Sequence, residues 1–464
     1  MMWRLLSGNS VKWRLLVVNQ ATAALFVAAA TLCGMCLQIP TQLLSDALTI
    51  FDSDPNHVWN RTYTCLFVRQ STEGKEYGAD TLDPLLWDNT QHLLTGDSHR
   101  RVMACLDEFL RSHGERAVED PLKRAILQRD LWAVFDWTAR NDDLPEQRRE
   151  LQSRLAVAIH RLALTPEQIR ALPDTYDAAV AAQRFASAYD PRNPGEPFLP
   201  PDLFRPDGPW VCLSAHSGEP TALQHFYFSG RSRFLVFMKL PGGRDATLAY
   251  IERLRSSDQP PLPGGFLNLA LPQFSVGTHV ALVRQLIVVD STGKLVPTKL
   301  TESVQLRIYH AITPGTRYMN YINGPSSHDQ DFVEFRMSRP ELFAGRNGGL
   351  VAVGPSETEF ATFNTHGMDS FDPAHPSEGQ NVVLKRCGGC HSDSGIHSVQ
   401  SRMSWMGPSP GAGGQPNHSD PIAWETHVTI ALKAQQPEFK LLQRLWQNMP
   451  DWPDRFPKRS GGRR

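Results

Sequence analysis

The residues of this chain with the most recognisable chemistry are Cys387-Gly-Gly-Cys390-His391. Two thiols separated by two residues can each add across a vinyl group of a haem, and a histidine directly after the second offers a ring nitrogen to the iron. The spacing predicts one covalent c-type haem per chain, held by Cys387 and Cys390, with His391 as axial ligand. A zinc site competes for the same residues but wants four ligands, and no second cysteine pair follows Cys390. A redox-active dithiol competes too, yet it wants a strand before the first cysteine. Here the upstream stretch opens on Ser377 and Gln380, which read as a capping box at the start of a helix.

A second axial ligand must come round the porphyrin edge, and an extended chain gains at most about 3.3 to 3.6 Å per residue. That reach favours residues 401–406, with Met406 slightly ahead of Met403, over His397, which is too near His391 for an easy turn. Ligation by His366, His375, His418 or His427, and a five-coordinate iron, stay open. His366, Met368, Asp369, Asp372 and His375 crowd one segment and read as a polar loop, with a metal site as the alternative.

The run Glu378-Gly-Gln-Asn-Val-Val-Leu-Lys-Arg-Cys-Gly-Gly-Cys-His391 resembles the N-terminal helix and attachment motif of the c-type cytochrome family. The resemblance implies thioether bonds at Cys387 and Cys390, His391 as the proximal ligand, a distal methionine, and a closing helix packed across the first. Residues 425–446 supply a counterpart to that closing helix, with Pro437 kinking or dividing it. The Ser-, Gly- and Pro-rich stretch between His391 and Asp420 departs from the family pattern. The resemblance therefore covers a reduced C-terminal domain and leaves the rest of the chain unaccounted for.

The elements that must position these groups fall into three regions. Residues 41–190 read as helical: Val102, Cys105, Leu106 and Leu110 recur at helical spacing, and Asp120-Pro121 and Thr165-Pro166 are capped helix starts. Trp132 and Trp137 belong to the core on this reading. After a proline-rich linker at 191–205, residues 206–362 carry short apolar and alternating runs. These are Trp210-Val-Cys-Leu, His225-Phe-Tyr-Phe, 233–240, 280–289, 303–309 and 332–336, which predict an antiparallel sandwich or barrel with one helix near 246–254. A linker at 363–376 leads to a small all-α, cytochrome c-like domain at 377–450 and a basic tail at 451–464. The expected fold is thus multidomain, with a helical N-terminal region, a β-rich middle and a haem domain.

No hydrolytic triad is legible. Ser214, His216 and His225 lie near one another without a converging acid, and no nucleophile elbow occurs. Gly230-Arg-Ser-Arg233 and Gly242-Gly-Arg244 read as solvated loops rather than anion sites.

A formal charge of -1, from 47 basic and 48 acidic residues, offers no general field for nucleic acid. Arg4, Lys12 and Arg14 ahead of the apolar residues 15–40 read as an export signal or membrane anchor. Cys65 and Cys105 are either disulfide-bonded outside the cell or buried as free thiols. The sequence thus predicts an exported monohaem protein for one-electron transfer, on the periplasmic or extracellular side, with a redox protein or envelope component as partner. A haem-coupled oxidoreductase with its active site in the β-rich domain, and a structural or binding envelope protein with a haem or zinc module, are the alternatives.

Overall fold

The structure is a computed structural model. It describes residues 49–70, 76–78, 91–140, 144–215, 218–228, 230–257, 271–313, 329–357, 384, 391, 393–400 and 420–449. All belong to the unit Leu48–Arg464. Helical stretches flank a central antiparallel sheet, as the patterning predicts. Among the described residues no helix is long and apolar enough to cross a membrane, and the apolar segment at 15–40 lies outside them.

The N-terminal layer is built on α1 (Val58–Phe67), α2 (Gly96–Arg111), α3 (Pro121–Arg140) and α4 (Pro145–Leu162). Asp120 starts α3 by accepting from the Leu122 amide at 2.8 Å, ahead of a proline at the first helical position. Its side chains are buried all round, Ile126, Leu131, Trp132 and Phe135 among them, which makes α3 the central helix of this layer. Two short helices follow, α5 (Pro166–Arg170) and α6 (Thr175–Ala181); Thr165 caps α5 through a reciprocal pair with Gln168. A disulfide between Cys65 and Cys105 ties α1 to α2, whose turns face each other with Cα atoms 7.0 Å apart.

The main sheet has six strands in sequential order: β3 (Val211–Cys212), β4 (Ser232–Lys239), β5 (His279–Val289), β6 (Leu295–Tyr309), β7 (Gln330–Met337) and β8 (Leu350–Ala352). A separate two-stranded ribbon, β1 (Arg69–Gln70) with β2 (Glu76–Tyr77), precedes it. Among the described residues β3 and β8 stand at opposite edges of a single antiparallel layer, and the expected sandwich or barrel is not seen there. One face packs Phe234, Val236, Met238 and Val280 against Tyr250, Ile251 and Leu254 of α8 (Gly243–Arg255). The opposite face sets Leu235, Phe237, Val283 and Leu306 against Tyr176, Phe198, Leu203 and Trp210. This alternation follows from the two-residue period of a strand.

The C-terminal segment forms α11 (Pro421–Gln435) and α12 (Pro437–Gln447), divided before Pro437 as expected. Phe439, Leu442 and Trp446 of α12 enter the same core as Leu131, Trp132 and Leu155, and Trp446 Nε1 donates to the Ala156 carbonyl at 2.8 Å. Full burial of such side chains contributes about 1.5–3 kcal/mol each.

Two local expectations are corrected. His225-Phe-Tyr-Phe is not a strand but most of helix α7 (Leu223–Phe228). The arginines of Gly230-Arg-Ser-Arg233 are not in a solvated loop: Arg231 is 1% exposed and pairs with Asp136 at 2.7 Å, while Arg233 donates to Gln285 and Thr426. Arg244, likewise, holds the Gly208 and Trp210 carbonyls.

Arg231 is part of a buried charge network between the layers. Asp136 also accepts from Lys433 at 2.7 Å, and Lys433 lies over the Trp132 ring. Arg129 pairs with Asp130 and Glu302, and Asp130 in turn pairs with Arg339 of α9 (Arg339–Phe343) at 2.8 Å. Burial works against ionisation of Asp136, but Lys433 and Arg231 outweigh it and hold the carboxyl below its ordinary range.

Candidate site between His225 and His391

The register of the sheet aligns the polar residues of β6 with apolar neighbours on one face. Leu282 stands opposite Val236 and Gln305, and Val280 opposite Met238 and Arg307. On this face Val236, Val280, Leu282, Gln305 and Arg307 line a cavity of about 30 Å³, completed by Ala222, His225, His391 and Val399.

His225 enters from α7 and His391 from the segment that precedes α10 (Ile396–Gln400). Their rings are nearly parallel, 13° apart, with centroids 6.0 Å from each other. His391 Nδ1 lies 2.7 Å from the Ser398 carbonyl oxygen, which can only accept, so Nδ1 carries the proton of the neutral ring. Burial, and after it the charges of Arg284 and Arg307, pull the His225 pKa down to about 4, leaving its imidazole neutral near pH 7.

The segment carrying His391 is docked by polar contacts with the sheet. Gln330 Nε2 donates to the His391 carbonyl at 2.9 Å, and Arg307 Nη1 donates to the Ser398 carbonyl and hydroxyl, each at 3.2 Å. Ser398 Oγ donates to the Gly395 carbonyl, so the Tyr309 hydroxyl, 2.7 Å away, donates to Ser398. Gln273 Oε1 accepts from the Ile396 amide at 2.9 Å. Gly395 has a φ of +54°, which favours glycine, and a Cβ there would push aside the Gln273 carboxamide that holds Ile396. Asp329 takes the Ser394 hydroxyl and the Thr313 amide and hydroxyl; burial opposes its charge, but these bonds keep its pKa low.

Of the residues expected to bind haem, His391 alone is described; Cys387, Cys390, Met403 and Met406 lie outside the described residues, as do His366, Met368, Asp369, Asp372 and His375. The function attached to them is corrected. Among the described residues no group of three or more His, Cys, Asp or Glu is placed to hold a metal ion. The described disulfide uses Cys65 and Cys105. His225 stands beside His391 with ring centroids 6.0 Å apart, and both line the same small space. We therefore set aside covalent haem c and one-electron transfer, and with them the haem-coupled oxidoreductase and the haem or zinc module.

Sequence reasoning placed His225 in a strand run and noted that no acid converged on it, and it gave Gln305 and Arg307 of the run 303–309 no role in a site. The available signal was the alternation Ser303-Val-Gln-Leu-Arg-Ile-Tyr309, whose polar positions are ordinarily read as a solvent face. Ser214 does not join His225 in a catalytic pair; it accepts from Arg255. Glu425 of α11, buried against the loop after β3, accepts from Thr221 N, Thr221 Oγ1 and Ala215 N at 2.8, 2.7 and 3.3 Å. Burial, only partly offset by these bonds, lifts its pKa to about 7.

No family model, curated protein or solved structure matches this chain.

Proposed function

We propose that this chain is exported and acts outside the cytoplasm as a ligand-binding protein, with the cavity between His225 and His391 as its site. The observation that carries the reading is the convergence of two imidazoles, a guanidinium and a carboxamide from α7, β6 and the segment before α10 on one small space. Binding sites combine mostly apolar walls with a few placed polar groups, and Ala222, Val236, Val280, Leu282 and Val399 are such walls. The compartment is supported by the Cys65–Cys105 disulfide, since disulfides persist in oxidising surroundings, and by the basic and then apolar start of the chain.

Two measurements test the two halves of this reading. In intact cells, a thiol-alkylating probe should label Cys65 and Cys105 only after reduction, and added protease should reach the protein once the outer barrier is opened. Labelling of both thiols without reductant would refute the export half. In purified full-length protein, a small solute that occupies the cavity should move the imidazole NMR signals of His225 and His391 together. If a broad screen of small polar solutes moves neither, the binding half is wrong.

A further inference from the structure

We infer that Glu425 is a proton-operated latch: with its carboxyl neutral it holds the loop after β3 against α11, and with the carboxyl ionised it lets that loop and the start of α7 open. The inference concerns how His225 is held and does not depend on what the cavity binds.

The latch is a cluster of groups closed off from water. Glu425, Thr221 and Ala215 are each 0% exposed. Glu425 Oε1 accepts from Thr221 Oγ1 at 2.7 Å and from the Ala215 amide at 3.3 Å, while Oε2 accepts from the Thr221 amide at 2.8 Å. One side chain thus fastens two points of the loop that lie 204 and 210 positions away from it in sequence. Thr221 is followed directly by Ala222, which lines the cavity, and then by α7. The Ala222 carbonyl accepts the Phe226 amide at 3.1 Å, so the bond that opens this helix starts one residue beyond the latch. Releasing Thr221 therefore loosens the first turn of α7 and His225 with it.

A neutral carboxyl fits without breaking the cluster. Thr221 Oγ1 stands between Glu425 Oε1 and the Leu213 carbonyl, which is 3.5 Å away. When Glu425 carries a proton, Oε1 donates to Thr221 Oγ1, the threonine hydrogen turns to the Leu213 carbonyl, and the Thr221 amide stays on Oε2. An ionised carboxylate accepts all three bonds, but its charge then sits in the interior beside neutral donors only.

The charged groups on the elements packed around α11 are engaged elsewhere. Arg233 of β4 is bonded to Gln285 and Thr426, and Arg255 of α8 to Ser214. On β6, Lys299 pairs with Asp174, Glu302 with Arg129, and Arg307 is bonded to Ser398. Glu438 of α12 pairs with Lys433. Asp420 at the start of α11 is itself an acid, and burial pushes the Cys212 thiol up, so that it stays neutral. Among the described residues, then, no cation forms an ion pair with Glu425. A buried carboxylate without a cation is costly, and it either takes up a proton or returns to water. The carboxyl pKa of about 7, raised by burial from an ordinary 4.5, agrees with this. Because the closed value is the higher one, the hold of the latch is full below about pH 4.5, declines above it, and is gone above about pH 7.

Amide hydrogen exchange of the full-length protein from pH 5 to pH 8, corrected for the intrinsic pH dependence of exchange, tests the latch. Protection of the Ala215 and Thr221 amides should fall on the order of a hundredfold between pH 5 and pH 7 and then level off, ending well below that of the amides of the central strand β5. Glu425→Gln, which keeps the shape and has no charge to gain, should leave protection at Ala215 and Thr221 flat with pH. The imidazole NMR signals of His225 give a second readout. With its own pKa near 4, that ring does not titrate between pH 6 and pH 8, so its signals should move there only through the latch, in wild type and not in Glu425→Gln. Loop protection that is constant with pH, that matches β5 at every pH, or that falls equally in Glu425→Gln would overturn the inference. His225 signals that stay still while the Thr221 amide opens would overturn its extension to α7. Should Glu425→Gln fail to fold, the wild-type comparison of the loop with β5 still decides, and no ligand is needed for any of these measurements.

Discussion

Charge is buried in two places in this protein, and the two are organised differently. Between the helical layer and the sheet, Arg129, Arg231, Arg339 and Lys433 meet Asp130, Asp136 and Glu302 directly, each at or below 2% exposure. On the α8 side of the sheet, Arg307 is buried among carbonyl and hydroxyl oxygens, a tyrosine ring, two imidazoles and valines. Removing one member of a buried pair leaves its partner charged in a medium that cannot solvate it. The first arrangement therefore acts as a fastening, in which every group depends on another. The second fixes the Arg307 guanidinium on the carbonyl and hydroxyl oxygens of Ser398, beside a small cavity.

The largest test of that contrast is Asp136→Ala, which strips Arg231 and Lys433 of their common carboxylate. A loss of about 3–5 kcal/mol in chemical denaturation is expected, with the imidazole NMR signals of His225 and His391 unchanged in the protein that remains folded. A variant no less stable than wild type would show that the network does not fasten the layers.

An intermediate effect concerns Glu425, a buried carboxyl bonded to neutral donors rather than to a cation. Its pKa is raised from an ordinary 4.5 to about 7, so between those values the folded protein holds a proton that the unfolded chain has released. Stability from this group is full below about pH 4.5, declines as pH rises, and is gone above about pH 7. The shift amounts to about 3 kcal/mol. Groups near it that also bear on the profile are Cys212, Arg233 and Asp420. Glu425→Gln should flatten this part of the profile, and an unchanged slope would remove Glu425 as its source. Asp136, held below the ordinary range by two cations, should contribute the opposite slope at much lower pH.

The smallest effect is expected at the surface. Arg170 and Glu167 form an ion pair at 2.8 Å with both side chains 72% exposed. Such pairs are screened by solvent and salt. Arg170→Ala should leave the denaturation midpoint where it is, and a clear destabilisation would mean that exposed and buried pairs differ less than the comparison requires.

The sequence made the scaffold easier to read than the site. Asp120 and Thr165 announced helix starts because capping is local chemistry, and β4 to β7 were visible as alternating or continuous apolar runs. His225-Phe-Tyr-Phe was misread because four apolar or aromatic residues are too few to separate a two-residue period from a helical one. Arg231 looked like a loop arginine because its burial is decided by Asp136, 95 positions earlier, which no local pattern contains. The cavity draws residues from Ala222 to Val399, and its guanidinium sits where an alternating strand usually meets water. Cys387 and Cys390 offered the sharpest motif in the chain, yet the described chemistry around His391 is organised by Ser398, Gln330 and His225.

The division of the last helices at Pro437 also has a consequence in time. Lys433, just before the break, reaches Asp136 across 297 positions of sequence, and Trp446, after it, reaches Ala156 across 290. Contacts of such long range form slowly, because the ends of a long loop must meet before any contact rewards them. During synthesis at about 5–20 residues per second, α3 and α4 are complete tens of seconds before their C-terminal partners exist. Until then Asp136 has no Lys433 and the core around Trp132 lacks Phe439 and Trp446. The helical layer therefore gains its last packing, Phe439 and Trp446 against Trp132 and Ala156, only after synthesis has passed Trp446.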